Sequence, residues 1–128
     1  MKVFRAAQTP AQGGDPRTFT GTVVRSTLAS ERAGTPVNVY RVEFHAGART
    51  HWHTHDGPQW LFVLDGRIRI QRLGEPVQEV EAGDAVVIQP GEKHWHGATA
   101  ASRGIHLAVN VNAATTWMEP VTDAQYGE

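Results

Sequence analysis

The chain of 128 residues contains no cysteine. Disulfides, thiolate metal sites and cysteine nucleophiles are thereby excluded, and any metal must be held by nitrogen and oxygen donors. Long apolar runs are missing too: the longest, residues 60–64, is far short of the ~18 residues that span a bilayer. The opening MKVFRAAQTPAQ lacks the apolar stretch of a leader peptide, so a soluble, cytoplasmic protein with no membrane partner is expected. Charge of one sign is also scarce. Twelve basic against thirteen acidic side chains leave a formal net charge of −1, too weak a field to gather phosphate backbones, and nucleic acid is not expected as a partner. There are no repeats, low-complexity tracts or charge blocks. A chain of this length buries enough surface for one core but not for two.

What is present is β-pattern. Residues 1–18, rich in Gln, Thr, Pro, Gly and Asp, are expected to form an arm that becomes ordered only by packing onto something. A single domain over 19–128 follows. Within it, β-rich runs alternate with Gly, Pro and Asp at intervals of roughly ten residues, the pattern of a sandwich or barrel. Strands are predicted over 19–25, 37–44, 49–55, 59–64, 67–73, 77–80, 84–89, 93–97 and 104–111. Turns are expected at Asp56-Gly57-Pro58, Asp65-Gly66, Gly83-Asp84 and Pro90-Gly91, where residue types fix or permit turn dihedrals. One helical turn is predicted over 121–126, capped by Thr122 with Asp123 in its first turn. The run 59–64 carries Leu61 and Val63 on one face and Trp60, Phe62 and Leu64 on the other, and 85–88 has the same character. Both faces must be covered. An all-β closed barrel or sandwich follows, its outer face covered by the N-terminal arm or a second copy, so a homodimer or higher homo-oligomer is expected.

The seven histidines all lie between positions 45 and 106. Alternation along a strand puts His51, His53 and His55 on one face, neighbours roughly 7 Å apart. The pair His94 and His96 repeats the spacing about 40 residues later, after a Gln89-Pro90-Gly91 turn that can bring a second strand alongside the first. Two same-face pairs from separate strands can converge on one ion, whereas solvated histidines have no reason to be paired twice. Gln59 lies four residues past His55 across the Asp56-Gly57-Pro58 turn, where its amide oxygen can reach the same ion.

Residues 47–66, GARTHWHTHDGPQWLFVLDG, and 83–97, GDAVVIQPGEKHWHG, resemble the two signature motifs of the cupin superfamily. Gly47, His53, His55 and Gly66 fall in register with the first motif, and Gln59 occupies its usual Glu position. Gly83, Gly91 and His94 match the second, while Gln89 and Ala98 replace its Pro and Asn. The resemblance implies a small jelly-roll-like antiparallel barrel binding one divalent metal through His53, His55, Gln59 and His94. The stretches FTGTV, GART, PGEKHWHGA and WMEPVTDAQY further resemble a group of small bacterial cupins that includes manganese-dependent hydroxynitrile lyases with this His, His, Gln, His set. That likeness departs at Tyr40, Asn110, His51 and Asp56-Gly57-Pro58. It implies Mn²⁺ as the metal, with Fe²⁺, Zn²⁺ or Ni²⁺ as other occupants that suit imidazole ligands.

Three imidazoles and an amide are neutral, so a bound dication keeps its full charge and acts as a strong Lewis acid. Lyase chemistry on a small (R)-cyanohydrin, with a histidine as general base, is the first expectation. His96 is the first candidate base because it shares a face with His94, and His106 on the following strand is the second. Either can instead serve only to hydrogen-bond a ligand. Tyr40, Val42, Phe44, Leu61 and Asn110 are expected to line the substrate pocket, and His45 and His51 to lie at the surface or rim. Two other readings are an iron-dependent dioxygenase of a small aromatic or carbonyl substrate and a non-catalytic barrel binding a small ligand.

Overall fold

Period-two burial organises the fold. Along the strand Gln59–Arg72, the buried positions Gln59, Leu61 and Val63 alternate with the exposed Trp60, Phe62 and Leu64, as a pleated strand with one face on a core requires. The computed structural model describes residues 1–127. After a 3₁₀ turn at Ala6–Gln8, the strands are β1 (Gln12–Gly13), β2 (Phe19–Thr20), β3 (Val23–Glu31), β4 (Val37–Phe44), β5 (Arg49–Thr50), β6 (His53–His55), β7 (Gln59–Arg72), β8 (Gln78–Glu81), β9 (Ala85–Ile88), β10 (His94–Ala98), β11 (Gly104–Val111) and β12 (Thr115–Trp117), followed by a helical turn α1 (Asp123–Tyr126). Every pairing is antiparallel. One sheet runs β1-β3-β4-β11-β7-β9, and the other joins β7 to β8 and β10 and continues through β5, β6, β2 and β12. The architecture is a curled antiparallel β-barrel with a lone C-terminal helical turn. No helix among the described residues is long and apolar enough to cross a membrane.

β7 belongs to both sheets. Its first half pairs with β11 and β9, its second with β10 and β8. The predicted turn at Asp65-Gly66 is therefore not a turn but a bulge inside one long strand. The β7–β11 register skips between Ile105 and His106, and Gly66 takes φ +67°, a left-handed conformation that glycine adopts without steric cost. A side chain there would also meet the Arg103 carbonyl oxygen, 2.4 Å from an added Cβ. Conversely, the run predicted over 49–55 breaks into β5 and β6 at His51-Trp52. The chain switches partners there, from β2 to β12.

The core between the sheets contains Phe19, Val23, Val42, Phe44, Val63 and Ile68. Complete burial of a side chain such as Phe44 stabilises the fold by about 2–3 kcal/mol. A second cluster, Trp52, Trp95, Val121 and Tyr126, fastens α1. The Thr122 hydroxyl accepts from the Gln125 N–H at 3.1 Å and the Gln125 Oε1 accepts from the Thr122 N–H at 2.9 Å, the reciprocal cap that the sequence predicts in part. Tyr126 donates its hydroxyl to the Ala98 carbonyl at 2.6 Å, and the Arg49 guanidinium lies 4.5 Å from its ring centroid.

The arm is ordered by β1 pairing on β3, with the Gly14 N–H donating to the Val23 carbonyl at 2.8 Å. It sits at the opposite end of that sheet from β7 and β9. It therefore does not cover Trp60, Phe62 and Leu64, which stay exposed together with Val87, the cross-strand partner of Trp60.

Candidate metal centre

Backbone pairing assembles the histidines. His53 and His55 alternate along β6, and His94 of β10 stands opposite His53. Gln59 opens β7, directly opposite Asn110 of β11. The turn from β6 into β7, strands that pair with other neighbours and not with each other, needs glycine at position 57, where a Cβ would lie 2.3 Å from the Val111 carbonyl oxygen. Ring centroids are 4.2 Å apart for His53 and His94, 5.0 Å for His53 and His55, and 5.3 Å for His55 and His94. All four ligand candidates are buried.

Their hydrogen bonds fix which atoms face inward. His53 Nδ1 donates to the His51 carbonyl and His94 Nδ1 to the Glu92 carbonyl, each at 2.8 Å. A carbonyl oxygen only accepts, so both Nδ1 atoms carry the proton and both Nε2 atoms keep a lone pair. His55 Nδ1 is engaged by the Thr115 hydroxyl at 2.9 Å, which can donate or accept. Gln59 Nε2 donates to Asn110 Oδ1 at 2.8 Å, which turns Gln59 Oε1 to the other side. The Nε2 atoms of His55 and His94 and the Oε1 of Gln59 are buried without a hydrogen-bond partner among the described residues. Buried lone pairs left bare are costly, and a divalent cation is a group that relieves such a cost where donors converge, as one nitrogen each of His53, His94 and His96 does within 4.8 Å. The donor set therefore fits the metal that the sequence resemblance implies.

His96 complicates the ligand set. Its ring lies close enough to His53 and His94 that one nitrogen from each falls within 4.8 Å of the others. Its Nδ1, however, is engaged by His106 Nε2 at 3.0 Å, while its Nε2 is buried and unpartnered. Burial opposes the charged form of all these rings. It holds His53 and His96 well below their ordinary value, with His94 adding to the effect on His53 and His106 to that on His96. It pushes His94 and His106 down to about 4. His55 is also lowered by burial, an effect that the nearby Gln59 amide and Asp56 carboxylate partly offset. All five rings are thus neutral near pH 7, as ligands and bases must be.

His53, His55, Gln59, His96 and His106 open onto a cavity of about 120 Å³. Tyr40, Val42, Phe44 and Asn110 also line it. Leu61 does not; it packs with Ile70, Ile88 and Ala108. His45 is exposed, but His51 is buried rather than at the rim, because the strand break draws it inward, where its N–H donates to the Thr18 carbonyl. Sequence reasoning missed Arg25, Thr50, Thr115 and Trp117 in the cavity wall. For the last two the signal was a short β-branched and aromatic stretch, Thr115–Trp117, that pairs with His55 and His53.

Asn110 sets the direction of the Gln59 amide, so Asn110→Leu frees that amide to rotate. Mn²⁺ affinity, measured by chelator competition, is expected to fall roughly ten- to hundredfold. An unchanged affinity would show that Asn110 does not orient the ligand.

Comparison with known proteins agrees with this geometry. Residues 40–109 match the cupin domain family model. The chain is 41% identical over 129 residues to an (R)-mandelonitrile lyase of Granulicella tundricola, covering 98% of each. Among solved structures, a cupin-like protein of Thermotoga maritima superposes with a TM-score of 0.86 at 35% identity, covering 90% of each chain. A polyketide cyclase of Streptomyces resistomycificus superposes with a TM-score of 0.77 at 18% identity over 98% of this chain and 90% of its own, and shares the fold. The matched motifs, the two-sheet barrel and the inward-facing imidazoles together establish that this chain belongs to the cupin family.

Proposed function

We propose that this chain is a metal-dependent carbon–carbon lyase of the hydroxynitrile lyase type, acting in the cytoplasm on a small (R)-cyanohydrin. The observation that carries the reading is the uncharged donor set of His53, His55, Gln59 and His94, with Nε2 and Oε1 atoms turned inward. The full-length similarity to a mandelonitrile lyase supports it. These four residues would hold the metal, Mn²⁺ first and Fe²⁺, Zn²⁺ or Ni²⁺ as substitutes, and when bound it supplies Lewis acidity undiminished by any anionic ligand.

The protein's own part is proton transfer and exclusion of water. His96 Nε2 takes the proton of the cyanohydrin hydroxyl, the C–CN bond breaks to leave an aldehyde, and the same proton passes to the departing cyanide as HCN. His106 Nε2, 3.0 Å from His96 Nδ1, holds the ring in place while its charge changes. Phe44 and Val42 keep the cavity wall apolar on this side.

Metal analysis combined with a cyanide-release assay on racemic mandelonitrile tests the reading. Manganese in near-stoichiometric amount, with cyanide released from the (R) enantiomer, is expected. Manganese without cyanide release overturns the lyase reading, and oxygen consumption by an iron-loaded form would point to a dioxygenase.

The apolar stripe of Trp60, Phe62, Leu64 and Val87 supports a second proposal, that another copy of this chain covers it. It runs across the β7–β9 ladder and leaves large side chains in water. Light scattering at micromolar concentration is expected to give twice the 14.0 kDa chain mass; a monomer mass refutes the dimer.

A further inference from the structure

Arg25 is a charged residue on the β3 face that carries the buried Val23. It lies two residues after the buried Val23 on β3 and directly opposite the buried Val42 of β4, so its side chain lies on the barrel side of the sheet, half-buried. It lines the same cavity as His53, His55 and Gln59. Its guanidinium carbon lies 5.2 Å from the centroid of the Tyr40 ring, also a cavity wall residue. No ion pair or hydrogen bond engages it among the described residues, and no Asp or Glu lines the cavity. A half-buried cation without an anion is costly. The contact with Tyr40 offsets part of that cost and holds the planar group in one orientation. What remains is a set of fixed N–H donors beside an apolar space, a fork whose geometry matches two carboxylate oxygens.

We propose that Arg25, stacked on Tyr40, is an anion-recognition site that takes the carboxylate of a small ligand whose apolar body rests against the rings of Phe19 and Trp117. The Phe19 and Trp117 rings stand 5.8 Å apart, centroid to centroid, in the same wall, and give the body of such a ligand an aromatic seat. Small carboxylic acids thereby become a second ligand class for the cavity. The site is independent of the lyase reading, since it needs neither a nitrile nor a metal.

The test compares benzoate with benzamide, which have the same shape and differ in charge, by calorimetry on the full chain both as isolated and after metal removal by a chelator. Benzoate is expected to bind roughly ten- to a hundredfold more tightly than benzamide in both forms, the margin of a charge-assisted hydrogen-bonded pair. Arg25→Met is expected to erase that preference while retaining benzamide affinity and metal content, which shows that the cavity is intact. Arg25→Lys is expected to restore it in part. Three results would overturn the proposal: no saturable benzoate binding at millimolar concentration, a preference unchanged by Arg25→Met, or a preference lost on metal removal with Arg25 in place. The last would put the carboxylate on the metal. Cyanide release plays no part in any arm, so the outcome stands apart from that of the mandelonitrile assay.

Discussion

Replacing His96 with alanine is expected to lower cyanide release from mandelonitrile by roughly 10²- to 10⁴-fold, the usual contribution of a positioned general base, while the metal stays bound. The expectation rests on the division of labour around this ring. His96 Nδ1 is taken by His106 and its Nε2 is buried, bare and turned into the cavity. Of the three histidines close enough to share an ion, it is the one whose second nitrogen faces another imidazole and not a backbone carbonyl. His53 and His94 are locked as Nε2 donors by the His51 and Glu92 carbonyls; His96 can shift its proton between tautomers with His106. Metal content and turnover measured on the same sample separate the roles. His94→Ala should lose metal and turnover together. If His96→Ala also loses the metal, His96 is a ligand and the base must be sought elsewhere, and if turnover survives, His96 is not the base.

Acidification from pH 7 to pH 5 is expected to remove on the order of 2 kcal/mol of folding stability for each of His94 and His106 in the metal-free protein. Both are held near 4 by burial, whereas in the unfolded chain they titrate near 6.5. Above that value neither state binds a proton and the contribution is complete. As the pH falls below it, the unfolded chain takes up protons that the folded chain refuses, and stability drops until the folded rings charge near 4. His53 and His96 shift in the same direction and steepen the loss. The exposed acids do not confuse the window, because partners hold Asp15, Glu31 and Glu119 below their ordinary carboxylate range, so they respond at lower pH. Urea midpoints at pH 7, 6 and 5 after chelation measure the effect. A midpoint independent of pH over this span would mean that the histidines are not excluded from water as the fold places them. With metal bound, proton competition for the same nitrogens makes the decline steeper still.

Legibility in the sequence varied with the kind of information each feature needs. Strand alternation and turn chemistry are local, and they located β4, β9, β11 and α1 to within about two residues. The proposed ligand set was readable because the motif spacing around His53, His55, Gln59 and His94 repeats a family pattern. The Asp65-Gly66 pair misled because the same residue types serve a turn and a bulge, and only the neighbouring strands decide between them. β12 was missed because three residues carry little periodic signal, and Thr115–Trp117 becomes a strand by pairing with His53–His55. Leu61 and His51 were misplaced because a residue's face follows from the register and breaks of its strand.

The sequence by itself determined a small all-β cupin domain without cysteine, the spacing of its imidazole and amide candidates and a capped terminal turn, since these follow from composition, spacing and nearest-neighbour chemistry. Tertiary structure alone decided which ring nitrogen faces inward, that Asn110 aims the Gln59 oxygen, that His96 meets His106, and that Arg25 enters the cavity unpaired. Each of these depends on contacts between residues distant in the chain, and such contacts exist only once the two sheets have closed on one another.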